Sequence, residues 1–209
     1  LENLDAPQFV TDADGDFTTH DLSFVFGSAE LDGLEIFLRE PPLAPGVPAQ
    51  GQVGNCLVCH PAPNFTDFAF HNTGVAQEEY DTLHGFGAFA ELFVPDLRTR
   101  RVNHDAFLPP TERHPRAQGP FLTVPSSSQP GHTDLGLWNV FANPDFPGPQ
   151  ERIRQTLVRS VGKQLPENEL LPKTLAMFKT PGLRDLLHSA PYFHNGGKDT
   201  FTEVLQFYS

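Results

Sequence analysis

The chain has little of several residue types that commonly indicate function. Its 209 residues include only two cysteines, one methionine and one tryptophan. No run approaches the roughly 20 apolar residues that a membrane-spanning helix needs, so we expect no membrane span. Basic residues are scarce, with 14 Lys and Arg against 26 Asp and Glu, and the formal net charge is -12. This balance argues against nucleic acid or an anionic membrane as a partner, because both need a basic face.

The two cysteines lie together in the segment Gly54-Asn55-Cys56-Leu57-Val58-Cys59-His60. A structural zinc site needs four ligands, and no second cysteine pair is present to complete one. A free dithiol or a disulfide is an alternative, but it leaves the histidine directly after the second cysteine unexplained. Cys-x-x-Cys-His is the attachment pattern of haem c.

We therefore predict one covalent haem c, bonded through Cys56 and Cys59, with His60 as the proximal iron ligand. The second ring nitrogen of His60 is expected to donate a hydrogen bond to a backbone carbonyl, which would fix the ring. Haem attachment of this kind places the protein in the periplasm or otherwise outside the cytoplasm. The chain does not begin with Met, and we expect it to be a mature or trimmed form.

Local patterns predict a mostly α-helical protein with long irregular loops. One helix begins at Ser28 and ends before Pro41, and another covers residues 149–161, where Gly162 ends it. A short helix is expected around residues 183–188. The last helix begins at Thr200, which can form a capping box with Glu203. Its apolar face is expected to point inward; this face consists of Phe201, Val204, Leu205 and Tyr208.

The chain divides into an N-terminal extension, residues 1–27, and a haem domain, residues 28–209. Within the extension, residues 12–16 alternate carboxylates in the manner of a calcium loop, but the glycine and the closing glutamate of an EF-hand are missing. A solvated acidic turn is the favoured interpretation, and calcium stays an alternative. Residues 76–137 are rich in Pro, Gly and His, and we interpret them as a large insertion. It is expected to wrap the surface with short helical turns such as 87–93, or to bind a partner.

Several motifs follow one another in a recognisable order. The C-terminal motifs are Phe178-Lys179-Thr180-Pro181-Gly182-Leu183-Arg184-Asp185, Ala190-Pro191-Tyr192-Phe193-His194-Asn195-Gly196 and Thr200-Phe201-Thr202-Glu203-Val204. The earlier motifs are the haem attachment segment, Asn64-Phe65-Thr66-Asp67, Phe70-His71-Asn72-Thr73-Gly74 and Asp134-Leu135-Gly136-Leu137-Trp138. Together they resemble the bacterial di-haem cytochrome c peroxidase and MauG family. The resemblance implies a cytochrome c-like haem domain.

That family carries two haems on two cytochrome c-like domains, and this chain resembles only the C-terminal, electron-transfer domain. It has one Cys-x-x-Cys-His, and Leu137 stands where the family usually has Arg. Electron transfer is therefore the expected function. The alternative is one part of a peroxidase or MauG-type enzyme whose second haem lies on another segment or chain. A structural haem beside a partner-binding insertion is a third possibility, which no sequence feature favours.

The resemblance also suggests the sixth iron ligand. In the family it lies fourteen residues past the histidine that matches His194, and it is Met in the peroxidases and Tyr in MauG. The corresponding residue here is Tyr208, for which a core tyrosine is the alternative role. Met177, the only methionine, is the other candidate ligand.

Other residues of the motifs are expected around the haem rather than on iron. His71 and His194 are predicted to lie near the haem edge or propionates. Arg184 is a candidate propionate partner, since a guanidinium grips a carboxylate with two hydrogen bonds, although an exposed surface arginine is an equal alternative. The expected partner is a redox protein, either another cytochrome or a second haem domain.

Overall fold

A computed structural model describes residues 27–38, 54–184 and 186–208 of the chain. The predicted fold class is confirmed, because the described part is mostly α-helical. The α-helices are α1 (Ser28–Leu38), α2 (Val75–His84), α3 (Leu97–Val102), α4 (His104–Phe107), α5 (Leu137–Ala142), α6 (Pro147–Val161), α7 (Glu167–Lys173) and α8 (Phe201–Phe207). Single 3-10 turns cover Cys56–Val58, Ala88–Glu91 and Leu186–His188. None of the described helices combines the length and apolarity needed to cross a membrane.

Two short strands join distant parts of the chain. Strand β1 (Phe70–His71) pairs antiparallel with β2 (Phe178–Lys179), so that His71 lies opposite Phe178. The buried Thr66 strengthens this connection, since its hydroxyl donates to the carbonyl of Thr180 at 2.8 Å. The segment after the cysteines is thereby fixed against the first of the C-terminal motifs.

The helix boundaries follow local chemistry. Helix α1 begins at Ser28 as predicted, and the Glu30 carboxylate accepts a hydrogen bond from the Gly27 N–H at 2.8 Å. Helix α6 begins at Pro147, two residues earlier than predicted, because proline is well suited to the first turn. It ends as predicted at Gly162, whose φ of 71° is left-handed. The capping box of α8 is present in both directions.

The hydrophobic core lies between α5, α6, α7 and the loops that precede them. Trp138 at its centre is 1% exposed and meets the Phe121 ring edge-on, with 4.9 Å between the ring centroids. The Arg100 guanidinium lies over Trp138 at 4.3 Å. Buried members of the core are Leu108, Phe121, Leu135, Leu137, Trp138, Phe141, Ala142, Leu157, Leu165, Leu170, Leu171 and Met177.

The prediction that residues 76–137 wrap the surface is wrong. Leu108 and Leu135 are completely buried, and Phe121 is 4% exposed. Backbone hydrogen bonds hold the loops inward, for example from the Leu135 N–H to the Phe121 carbonyl at 3.0 Å. The segment also contains most of α2, which was not predicted, and the 88–91 turn, which was. It supplies core residues because single apolar side chains in its loops reach α5.

Some predictions fall outside the described residues. The acidic stretch 12–16, considered as a calcium loop, belongs to this group. The division between residues 27 and 28 stays a prediction.

Candidate haem site

The two cysteines lie on one tight turn. Asn55, with a left-handed φ of 64°, leads into the 3-10 turn Cys56–Val58, and the His60 N–H donates to the Cys56 carbonyl at 2.9 Å. Both thiols are half-buried and free. Burial raises the pKa of the Cys56 thiol, and burial together with Asp67 raises that of Cys59. A reactive thiol pair depends instead on a lowered pKa, so these raised pKa values do not favour thiol redox chemistry.

The imidazole of His60 is held by the loop that follows it. Its Nδ1 atom lies 2.9 Å from the carbonyl oxygen of Phe65. Because a carbonyl only accepts, Nδ1 must donate, and the neutral ring carries its lone pair on Nε2. The hydrogen bond predicted for this histidine is therefore present. Phe65 has a left-handed φ of 53°, and its N–H donates to Pro61 at 2.8 Å, which closes the loop.

Asp67 connects His71 to the second cysteine, Cys59. The His71 Nε2 atom is 2.6 Å from the Asp67 carboxylate, and the Asp67 N–H donates to the Cys59 carbonyl at 2.9 Å. Burial raises the pKa of Asp67, but hydrogen bonds from His71, the Ala69 N–H and Thr180 outweigh it and leave the pKa below its ordinary value.

Ligand atoms of Cys59, Asp67 and His71 lie within 4.8 Å of one another. This group resembles a metal site in outline. Zinc would need a thiolate there, and the raised pKa of Cys59 disfavours one. Conversion of the sulfur to a thioether would remove the thiolate altogether.

Tyr208 follows the last turn of α8 and faces the cysteine turn. Burial raises the pKa of its phenol, the Thr73 hydroxyl lowers it by hydrogen bonding, and the charges of Cys59 and Cys56 raise it again. The hydroxyl therefore lies within electrostatic range of both sulfurs. The prediction that its helix face is buried is wrong, since Phe201, Leu205 and Tyr208 are 44%, 53% and 53% exposed.

Three of the C-terminal and central motifs meet at His194. Its ring stacks on Phe178 with 3.4 Å between centroids, and its Nε2 atom is 3.8 Å from the Asp134 carboxylate. Burial lowers the pKa of His194 to about 4, and burial also raises that of Asp134. The neighbouring Glu79 has its pKa raised to about 7, first by burial and then by repulsion from Asp134.

Arg184 and Met177 have different surroundings. Arg184 is exposed and donates from Nη2 to the Pro63 carbonyl at 2.8 Å, so it lies against the loop that follows His60. Met177 is 8% exposed and belongs to the hydrophobic core.

The apolar surface around the cysteines fits a large flat cofactor. Among described residues whose burial is assigned, none of the apolar side chains of 54–68 or 178–208 is buried. Val58 is 63% exposed and Phe68 is 42% exposed, in addition to the open face of α8. Exposed apolar surface of this kind marks a binding region. Two adjacent thiols, an oriented imidazole and this surface together fit haem c.

Sequence reasoning missed three participants of this site. Thr73 forms a hydrogen bond with Tyr208, and Asp134 lies beside His194. Glu79 lies close enough to Asp134 for their charges to interact. The first two lie inside motifs that were recognised, which was a usable signal. Glu79 lies on α2, and no local pattern distinguishes it from the exposed Glu78 beside it.

Comparison with known proteins finds two similar cytochrome c peroxidases, both from Denitromonas iodatirespirans. The chain is 24% identical to cytochrome-c peroxidase IdrP2 over 186 residues, which are 87% of this chain and 32% of IdrP2. It is 45% identical to cytochrome-c peroxidase IdrP1 over 38 residues, which are 18% of this chain and 10% of IdrP1. The chain thus spans about a third of the length of IdrP2. No protein-family model and no solved structure matches. These similarities support a relationship to cytochrome c peroxidases.

Proposed function

We propose that this chain is a periplasmic haem c domain that transfers electrons, related to the C-terminal domain of di-haem cytochrome c peroxidases and MauG. Cys56 and Cys59 would hold one haem through thioether bonds, and His60 Nε2 would be the proximal ligand. When bound, haem supplies one-electron redox chemistry. A second haem domain or another cytochrome is the proposed partner.

The observation that carries this proposal is that an oriented His60 and the phenol of Tyr208 both lie at the cysteine turn. The Phe65 carbonyl holds the imidazole by Nδ1, which directs the lone pair of Nε2 away from the loop. Tyr208 presents its phenol from another part of the chain, within electrostatic range of both sulfurs. Both residues could therefore serve as iron ligands of one haem attached to that turn.

Tyr208 is the proposed sixth ligand, in preference to Met177. Met177 packs in the core among leucines and Trp138, whereas the phenol of Tyr208 is about half exposed beside the cysteine turn. A phenolate is anionic and hard, so it should favour ferric iron and give a low potential, whereas a thioether raises it. The raised pKa of the free phenol means that ligation has to expel a proton.

The remaining motif residues have proposed supporting roles. Arg184 can turn its other guanidinium nitrogens to a propionate while it keeps the Pro63 carbonyl. His71, bonded to Asp67 beside Cys59, would lie near one edge of the haem. His194 stays neutral near pH 7 because burial lowers its pKa to about 4, so it adds no charge near that edge.

Covalent attachment is tested by expressing the chain with a cytochrome c maturation system. We expect an intact mass that exceeds the polypeptide by one haem, and red protein after denaturing electrophoresis. The paired change Cys56→Ala and Cys59→Ala should abolish both, because it removes both thioether bonds. Colourless wild-type protein with two free thiols would overturn the proposal.

The sixth ligand is tested by comparing ferric spectra of the wild type and Tyr208→Phe. We expect a loss of the low-spin, six-coordinate signature in the variant. Tyr192→Phe is the matched control, because the Tyr192 hydroxyl donates to the Leu186 carbonyl at 3.0 Å. Identical spectra for wild type and Tyr208→Phe, or a sulfur-to-iron charge-transfer band in the wild type, would contradict this ligand.

A second candidate function is one part of a peroxidase or MauG-type oxidoreductase. The observation that favours it is that the chain covers only 32% of IdrP2. The enzyme would need a second haem, carried by another segment or a partner chain. Two haems per intact polypeptide, with peroxide turnover from a reduced cytochrome donor, would support it, and one haem without turnover favours electron transfer.

A further inference from the structure

A cluster of two histidines and an aspartate lies outside the proposed haem site. His104 begins α4, His114 lies in the following loop, and Asp145 lies in the turn between α5 and α6. One ligand atom of each residue lies within 4.8 Å of the other two. Three separate segments thus bring one possible ligand atom each into the same small region.

His104 is the unusual member of this cluster. Its side chain is 6% exposed, and among the described residues neither ring nitrogen has a hydrogen-bond partner. The nearest carboxylates, those of Asp145 and Asp105, are 3.8 and 3.9 Å away, too far for hydrogen bonds. A buried imidazole with two unsatisfied nitrogens is costly, which indicates that another group completes its coordination.

Asp145 is oriented as metal-binding carboxylates commonly are. Its side chain is 7% exposed, and its Oδ2 accepts from the Thr111 hydroxyl at 2.5 Å. Arg113 approaches Oδ1 at 3.7 Å, but the arginine side chain is 78% exposed and competes weakly in solvent. The carboxylate is therefore fixed by its neighbours and stays available to a cation.

His114 provides the second imidazole. Its Nδ1 lies 3.1 Å from the Asp105 carboxylate, an arrangement that leaves the lone pair of the neutral ring on Nε2. Its ring stacks on that of His104, with centroids 3.5 Å apart and 19° between the planes. In stacked imidazoles the nitrogen lone pairs lie in two nearly parallel planes and do not converge. Both rings can therefore bind one ion only if one of them turns. The His114 side chain, 36% exposed, has the freedom to do so.

We propose that His104, His114 and Asp145 bind a divalent transition metal of the zinc class. Two imidazoles and one carboxylate suit Zn²⁺ better than the all-oxygen shells that Ca²⁺ and Mg²⁺ prefer. Three protein ligands leave a fourth position for water. The ion would tie the 104–114 loop to the turn before α6, and so brace the core around Trp138.

The test measures zinc bound to the purified holoprotein. The protein is stripped with EDTA, dialysed against micromolar Zn²⁺ with and without excess Ca²⁺, and analysed by inductively coupled plasma mass spectrometry. We expect one zinc per chain in the wild type, unchanged by Ca²⁺, and a fall in affinity of about tenfold or more in His114→Ala and Asp145→Asn. His84→Ala is the matched control, because His84 is exposed and bonded to the Pro130 carbonyl.

Three results would overturn the proposal. They are wild-type protein without zinc, zinc binding that His114→Ala leaves intact, and displacement of zinc by Ca²⁺. Far-UV circular dichroism of each variant verifies that it is folded, and a zinc-dependent rise in unfolding temperature, absent from His114→Ala, gives a second readout. His71→Ala separates this site from the group at Cys59, since loss of zinc in that variant alone would assign the ion there. None of these readouts depends on haem attachment.

Discussion

The Nδ1 atom of His60 is tied to the carbonyl oxygen of Phe65 at 2.9 Å. This carbonyl points at the imidazole because Phe65 adopts a left-handed φ of 53° in the loop after the cysteine turn. Non-glycine residues adopt this conformation at a cost, and the cost is greatest for side chains branched at Cβ. The direction of the proposed haem ligand therefore depends on the backbone of one residue that carries no chemistry itself.

Replacing Phe65 by leucine or by isoleucine separates the effect of its backbone conformation from the effect of its aromatic ring. Both remove the same ring, including its edge contact with Phe37, but only isoleucine is β-branched. We expect Phe65→Leu to keep the His60 hydrogen bond and Phe65→Ile to weaken it, at a strain of about 1–3 kcal/mol. A less basic imidazole stabilises ferric iron less, so the midpoint potential of Phe65→Ile should exceed that of Phe65→Leu. Spectroelectrochemical titration measures both, and equal potentials would contradict this dependence.

Local signals in the sequence were sufficient for parts of this site. The haem attachment motif and the Thr200–Glu203 capping box are both complete within a few residues, so their geometry follows from short-range bonding. The meeting of His194 with Asp134 depends instead on segments far apart in the chain. Only the family resemblance suggested that these motifs belong together.

Helix α2 shows why other elements were missed. Its apolar positions at helical spacing are only Ala76, Tyr80 and Leu83, and Leu83 is 43% exposed, so the stripe that a sequence pattern could detect is weak. The burial of Leu108 and Leu135 is also not visible in the sequence, because both lie in loops and not on a periodic helix face. Their positions are decided by contacts with α5.

The half-buried carboxyl of Glu79, together with His194, predicts an unusual dependence of stability on pH. The pKa of Glu79 is raised to about 7 by burial and by Asp134 and Glu78, with Lys198 opposing. Its protonated form is favoured by folding, so its contribution is complete below the ordinary pKa of 4.5 and is lost as pH rises towards 7. The pKa of His194 is lowered to about 4, so its contribution is present above 6.5 and is lost as pH falls towards 4. The two slopes oppose each other between these values.

Glu79→Gln removes the opposing contribution of Glu79, so the pH dependence of stability that His194 causes should become visible. We expect its free energy of unfolding to rise more steeply with pH than that of the wild type between 4.5 and 7. At pH 7 the variant should be more stable by about 1 kcal/mol, after allowance for solvent screening of a half-buried group. Urea unfolding across this pH range measures the difference, with Glu91→Gln as the control, because the Glu91 side chain is exposed. Parallel profiles for Glu79→Gln and the wild type would show that Glu79 is ionised normally.

Leu108→Ala tests whether residues 76–137 belong to the core. Leu108 is completely buried among the core side chains, so truncation should cost about 3 kcal/mol through lost burial and a cavity. Leu122→Ala is the control in the same segment; its side chain is 41% exposed and the change should cost less than about 1 kcal/mol. Chemical denaturation of the two variants gives the comparison. Similar small losses for both would mean that the segment is a surface addition.

The cap of α8 should control the position of Tyr208. The helix has only seven residues, and the Thr200 hydroxyl accepts from the Glu203 N–H at its first turn, so Thr200→Ala should cost about 1 kcal/mol. Because so short a helix is marginal without its cap, the variant should also lose part of the six-coordinate ferric signal as Tyr208 leaves the haem. Thr202→Ala, an exposed change within the same helix, should preserve both the stability and the spectrum. If Thr200→Ala lowers stability but leaves the ferric spectrum unchanged, the sixth ligand is held by something other than α8, and Tyr208 is the wrong residue.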